Sequence, residues 1–325
     1  MFHKILIPLD TSSLAEGVLH YLPQFAQKDQ VELFLVGAIE PNMYAYAMAS
    51  DEPLLISRLM EDIEQSFRQY LTGVQQRLLN EGYRASTHLL YGDAAQCISD
   101  VATKEECDLI AMTTHGRTGF SRWMLGSVAD RVLRTADQPI LLLRADLDLS
   151  TPYTVKHILL ALDGSGLAEQ ALPLAQNVAR QTNADVTMLH VLQQLTTWEK
   201  QLLAQTHLPS ESYETERMAN ARTYLTQIRD RLHIAQVNSA FEIVTGEPGK
   251  AILDRAEADK IDLIVMSSHG RSGYSRWAYG SVAAKVLHGA QCPVLLMRGM
   301  QIVKVEDVEA FKSSAPILDM HAEPA

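Results

Sequence analysis

A string of fifteen residues that occurs twice governs what this chain can fold into. Thr113-Thr114-His115-Gly116-Arg117-Thr118-Gly119-Phe120-Ser121-Arg122-Trp123-Met124-Leu125-Gly126-Ser127 returns, 154 residues later, as Ser267-Ser268-His269-Gly270-Arg271-Ser272-Gly273-Tyr274-Ser275-Arg276-Trp277-Ala278-Tyr279-Gly280-Ser281. Each copy follows an apolar run, Leu109 to Met112 or Leu263 to Met266, and precedes a helix-like stretch. It therefore reads as a strand, a glycine-punctuated loop and a helix start. Nine residues separate Gly116 from Gly126 and Gly270 from Gly280. A residue without a Cβ lets backbone N–H groups come close to an anion. A helix beginning at Ser127 or Ser281 turns its unsatisfied amides and the positive end of its dipole toward the same place.

The flanking sequence repeats in step with the loop. Ile5 to Leu9, Val31 to Ile39, Ser86 to Tyr91, Leu109 to Met112 and Pro139 to Leu143 are short apolar runs. Between them lie helix signals, among them a helix after Asp10-Thr11-Ser12-Ser13, one over Leu59 to Leu79 ending at Gly82, and one over Ser127 to Thr135. Five strands alternating with four helices predict an α/β unit with a parallel sheet. The pattern restarts at Ile158 to Leu162, Val186 to Leu192 and Pro293 to Met297, and Gly246-Glu247-Pro248 repeats the turn at Gly92. The predicted organisation is one domain over 1–145, a linker over 146–154, a second domain over 155–298, and a C-terminal tail over 299–325 whose first part, Gln301 to Lys312, has the spacing of one amphipathic helix.

Composition narrows the function classes. Lys and Arg total 28 against 39 Asp and Glu, a formal charge of -11, which repels nucleic acid and anionic membranes. No apolar stretch reaches the roughly 18 residues of a membrane span, and Asp10 interrupts the first apolar run too early for a signal peptide. Cys97, Cys107 and Cys292 are isolated thiols, expected in a core and in a reducing, cytoplasmic compartment. There is no G-x-x-x-x-G-K-[ST] and no G-x-G-x-x-G after the first strand, so neither a P-loop NTPase nor a nicotinamide-type dehydrogenase is supported.

In open parallel sheets a ligand lies beyond the carboxyl ends of the strands where the strand order reverses, which brings Asp10 or Asp163 beside the loop after strand four. Each carboxylate is expected either to accept hydrogen bonds from a ribose or base or to cap the next helix. Ser127-Val128-Ala129-Asp130 likewise reads as a capping box as well as a phosphate contact. Arg117, Arg122, Arg271 and Arg276 either hold phosphates or are solvated. Trp123 and Trp277 are expected to pack the loop, and His115 and His269, with no activated nucleophile beside them, to shape it by hydrogen bonding.

These residues resemble the universal stress protein family, whose signature is glycine, two residues, glycine, nine residues, glycine and a serine or threonine. Its last three positions stand here as Gly116, Gly126, Ser127 and as Gly270, Gly280, Ser281; the first departs to Thr113 and Ser267. The resemblance implies two tandem Rossmann-like domains, each a five-stranded parallel sheet of order 3-2-1-4-5, paired through their fifth strands. It implies ATP or another adenine nucleotide as ligand, with Mg carried on the phosphates. Asp10 and Asp163 would meet the adenosine, Ala38 and Val191 would wall the base, and the glycine-serine loop would hold phosphates. The implied site takes in Pro8, Asp10, Ala38, Thr113, His115, Gly116, Arg117, Gly126, Ser127 and Val128 of one copy. In the other it takes in Ala161, Asp163, Gly164, Val191, Ser267, His269, Gly270, Arg271, Gly280, Ser281 and Val282. The implied role is a cytoplasmic stress sensor or regulator, with further association into a homo-oligomer. The alternatives are a slow ATPase or nucleotidyl transferase, for which no water-positioning base is identified, and a nucleotide-free interaction module using Met43, Tyr44, Tyr46, Met48 and Trp198.

The copies differ in ways that favour the second. It has Asp163-Gly164-Ser165 where the first has Asp10-Thr11-Ser12, and Ala284 where the first has Asp130. Residues 1–145 carry 12 basic and 18 acidic side chains, whereas 155–298 carry 14 of each. A polyphosphate is expected to bind the second copy more tightly, each difference contributing about 1 kcal/mol or less.

Overall fold

Each run predicted as a strand is one, with ends shifted by a residue or two. The structure, a computed structural model, describes residues 2–41, 53–114, 125–144, 152–205, 209–270 and 279–298, the side chains of 53–56 excepted. The strands of the first half are β1 (Lys4–Pro8), β2 (Glu32–Ile39), β3 (Arg84–Tyr91), β4 (Leu109–Thr113) and β5 (Ile140–Leu143); those of the second are β6 (His157–Ala161), β7 (Asp185–Leu192), β8 (Ser239–Thr245), β9 (Leu263–Ser267) and β10 (Val294–Met297). The helices are α1 (Ser13–Glu16), α2 (Leu22–Phe25), α3 (Pro53–Asn80), α4 (Ala94–Lys104), α5 (Ser127–Thr135), α6 (Gly166–Glu169), α7 (Leu172–Thr182), α8 (Thr197–Gln205), α9 (Ser210–Ile234), α10 (Pro248–Ala258) and α11 (Ser281–Gly289).

Within each half the strands are parallel and ordered 3-2-1-4-5. The central strands β4 and β9 are buried at every position because helices cover both sheet faces, which is why their sequences are apolar without alternation. The halves do not form two separate sheets. β10 lies antiparallel to β5, with Leu295 opposite Leu141, and this antiparallel junction joins the ten strands of the described residues into a single sheet. Two arginines at equivalent positions cross it. Arg144 donates to the Ala290 carbonyl at 3.4 Å, and Arg298 donates to the Thr135 and Ala136 carbonyls at 3.1 and 3.0 Å and to Asp137 at 2.8 Å.

Two expectations need correction. The single helix predicted after Asp10 is broken into α1, a 3-10 turn over Gly17–Tyr21, and α2. Pro23 has no N–H to give to the Leu19 carbonyl, and the Leu22 N–H takes that carbonyl in a tighter turn instead. Helix α3 starts six residues before Leu59, at Pro53, a residue pre-shaped for the first helical position. Its other end is as predicted: Gly82 has φ +93°, and the N–H groups of Gly82 and Tyr83 return to Leu79 and Leu78.

One pair of positions was exchanged between the halves. Gly37 of β2 lies under the Phe67 ring of α3, and a Cβ there would sit 2.9 Å from Phe67 Cε2. At the matching places β7 carries His190 and α9 carries Ala221. The ring that fills the gap thus comes from the helix in one half and from the strand in the other. Phe67 lies 6.2 Å from Tyr70, and His190 lies 6.2 Å from the equivalent Tyr224.

Candidate functional site

Strand β1 lies between β2 and β4, and β6 between β7 and β9, so the reversal of strand order falls where the sequence placed it. Asp10 and Asp163 follow those central strands. Neither carboxylate is the helix cap. Ser12 and Ser165 are the N-caps, their hydroxyls accepting from the amides of Ala15 and Ala168. Asp10 Oδ1 accepts from the Ser12 amide at 3.0 Å and from its hydroxyl at 2.6 Å; Asp163 Oδ1 does the same for Ser165 at 2.9 and 2.6 Å. The residue between must turn left-handed, with φ +82° at Gly164 and +70° at Thr11.

The loop after β9 meets that carboxylate. A Cβ placed on Gly270 would be 2.1 Å from Asp163 Oδ2, so glycine is required there by the aspartate itself. His269 is held from below: its Nδ1 is 3.0 Å from Ser268 Oγ, and its N–H donates to Ser267 Oγ at 3.5 Å. Thr113 and Ser267, at the signature's departing first position, are buried strand-end residues paired with Leu143 and Met297. His115, Gly116, Arg117, Arg122, Trp123, Arg271, Arg276 and Trp277 lie outside the described residues, as do Met43, Tyr44, Tyr46, Met48 and the segment 299–325.

Both loops close on a helix start of one design. Gly126 donates to the Thr114 carbonyl at 2.7 Å and Gly280 to the Ser268 carbonyl at 2.8 Å. These glycines, and not the serines, are the N-caps, and among the described residues neither helix has a side-chain cap. The capping-box reading of Ser127 is thereby corrected: Ser127 and Ser281 are the first helical residues, and both are exposed. The first intrahelical bonds are Asp130 to Gly126 and Ala284 to Gly280, both 2.9 Å. The amides of Ser127, Val128 and Ala129, and of Ser281, Val282 and Ala283, therefore precede the helical ladder and have no acceptor within it. Pro8, Ala38, Ala161 and Val191 are half-buried at or one residue before the ends of their strands, and Val128 and Val282 are half-buried beside the helix starts.

Charge around the first helix start is more balanced than the sequence suggested. Asp130 accepts from Arg134 Nε at 2.9 Å and Nη2 at 3.1 Å, and from the Tyr279 hydroxyl at 2.6 Å. Arg134 above all, then Tyr279, holds the Asp130 carboxyl below its usual range. Its charge is thus committed to an ion pair, which removes it from the argument for a weaker first site. A cation not foreseen from the sequence stands one turn into each helix: Arg131 pairs with Asp93 and, at 3.6 Å, with Glu40, while Lys285 pairs with Glu247. The signal was present, since both copies carry a base four residues after the signature serine. The three cysteines are free thiols, and burial pushes Cys107 and Cys292 up to about 12.

The model of the universal stress protein family matches residues 1–144 and again 154–298. The chain belongs to the universal stress protein family. It is a tandem member, similar along most of its length to a universal stress protein of Mycobacterium tuberculosis strain H37Rv, with 25% identity over 300 residues, 90% of this chain and 96% of that one. Among solved structures, a universal stress protein from Archaeoglobus fulgidus DSM 4304 superposes with a TM-score of 0.65 at 21% identity, covering 92% of this chain and 97% of that one. Another universal stress protein, solved in complex with cAMP, aligns with 45% of this chain and 99% of its own at 21% identity and a TM-score of 0.35. Among the described residues of this universal stress protein, no helix is long and apolar enough to cross a membrane.

Proposed function

We propose that this universal stress protein binds ATP or a related adenine nucleotide and acts as a cytoplasmic sensor or regulator. The observation that carries the reading is the pair of helix starts at Gly126 and Gly280, which among the described residues have no side-chain cap and whose first three amides precede the helical ladder. Donors of that kind at a helix N-terminus suit phosphate oxygens. The described residues support the reading. Ser127 to Ala129 and Ser281 to Ala283 would hold phosphates, Asp10 and Asp163 would accept from the ribose or base, and Ala38 and Val191 offer apolar contact at the ends of β2 and β7. Any Mg would enter on the phosphates. The second half is the better seat. Its aspartate turn is built on a glycine at φ +82°, where the first half has a threonine at +70°, and its net charge is zero against -6.

The test is to identify what copurifies with the chain by mass spectrometry and to titrate ATP, ADP and AMP into protein stripped of it. Expected are a retained adenine nucleotide and tighter uptake by a chain carrying Asp10→Ala than by one carrying Asp163→Ala. No nucleotide retained, and no binding up to millimolar concentration, would refute the reading. One observation favours a nucleotide-free interaction module instead: Trp198 and Leu202, one turn apart on α8, are 66% and 44% exposed.

A further inference from the structure

Tyr279, the residue that leads into α11, is anchored on the opposite half. Its hydroxyl donates to Asp130 in the first turns of α5, and the Arg134 guanidinium that grips the same carboxylate lies 5.2 Å from the Tyr279 ring centroid. Burial foremost, then the bond to Asp130, raises the phenol to about 12, so it remains a donor throughout the neutral range. One residue on, the Gly280 N–H is fixed to the Ser268 carbonyl. The dipeptide Tyr279-Gly280 is thus held on one side by the residue that follows its own strand β9 and on the other by the helix that forms the first anion seat. At the equivalent places the halves carry Leu125 and Ala284, which have no polar side-chain atoms to form such a pair. The tie is made once, in one direction.

We propose that Tyr279 is a positioning residue for the second seat, orienting the amides of Ser281 to Ala283 through its anchor on Asp130, and that the same contact makes the two seats cooperative. The proposal rests on the nucleotide reading above. An anion arriving at Ser127 to Ala129 raises the basicity of the neighbouring Asp130 carboxylate and strengthens its hold on the phenol. Filling the first seat therefore firms the entry to the second, and the effect is reciprocal.

The experiment is calorimetric titration of MgATP into the full chain, and into the chain carrying Asp10→Ala, which isolates the second seat. In the Asp10→Ala background, Tyr279→Phe and Asp130→Asn are each expected to weaken binding about fivefold, and the two together no further. In the otherwise intact chain either change removes the enhancement of the second binding event by the first. Unchanged affinity with Tyr279→Phe, or two effects that simply add, would overturn the proposal. A ligand-free arm separates it from the nucleotide reading. Asp130→Asn is expected to shift the backbone amide resonances of Tyr279 to Val282 across the half boundary, and not to do so when Tyr279 is already Phe. No shift overturns the tie whatever the chain binds. A chain that shows the shift yet takes up no nucleotide keeps the tie and loses only the nucleotide reading.

Discussion

Thr11 shows what a single residue carries. It occupies a left-handed turn at φ +70°, where its branched side chain is disfavoured, and the second half has Gly164 at the same place. Thr11→Gly is expected to stabilise the protein by about 1 kcal/mol, the relief of strain exceeding the extra chain entropy of glycine. Urea unfolding of the two proteins checks this, and an equal or lower midpoint for the variant would contradict it. The glycines of the signature do not all answer to one cause. Gly270 is required by the Asp163 carboxylate, whereas a Cβ on Gly280 would come within 3.3 Å of the Ser268 carbonyl. In both cases the missing side chain is first a matter of the protein's own packing, and an approaching anion would use the space that results.

Helix α3 over β2, and α9 over β7, show how an element pair conserves volume while its sequence changes. Because Gly37 and Phe67 fill one space, Gly37→Ala is expected to cost about 1–3 kcal/mol by overpacking. In a Phe67→Ala background, which reproduces the alanine of the second half, the same change is expected to cost less, the contact with Leu89 Cδ1 at 3.1 Å being the one that remains close. A double-mutant cycle by urea unfolding measures the difference, and additive costs would show that the two residues do not share the space. The same helices are tied at the far end by equivalent ion pairs, Arg77 with Glu16 and Arg231 with Glu169, the latter at 2.8 Å.

The whole molecule is defined by the antiparallel junction of β5 with β10 and by the contacts that flank it. Asp130, Arg134 and Tyr279 form the polar cluster that crosses it beside the two helix starts. Because the carboxyl is held below its ordinary value near about 3.9, its contribution is fully present above that value and is lost as pH falls through the lowered one. Asp130 and Arg134 are 32% and 39% exposed, so solvent screening keeps the contribution to about 1 kcal/mol or less. Asp130→Asn is therefore expected to lower the urea midpoint at pH 7 and to match the parent increasingly closely below about pH 4. A gap that persists unchanged at low pH would show that packing, and not charge, is what the aspartate supplies.

The strand order 3-2-1-4-5 came with the resemblance to the universal stress protein family and is the order observed. The sequence by itself determined that the chain is duplicated, that each copy is an α/β unit with a parallel sheet, and that Asp10, Asp163 and the glycine-bounded helix starts belong at the carboxyl edge of the sheet. Those features follow from local periodicity and from residue types whose backbone preferences act within a few positions. Only the tertiary structure decided that the fifth strands, whose pairing the resemblance implied, meet antiparallel in one sheet, that Ser12 and Ser165 and not the aspartates cap their helices, and that Asp130 is bonded to Tyr279, 149 residues away. A repeat fixes what each half can become, but a contact between halves depends on which side chains meet across the junction. The polar pair on one side of it and the apolar pair on the other have no local signature.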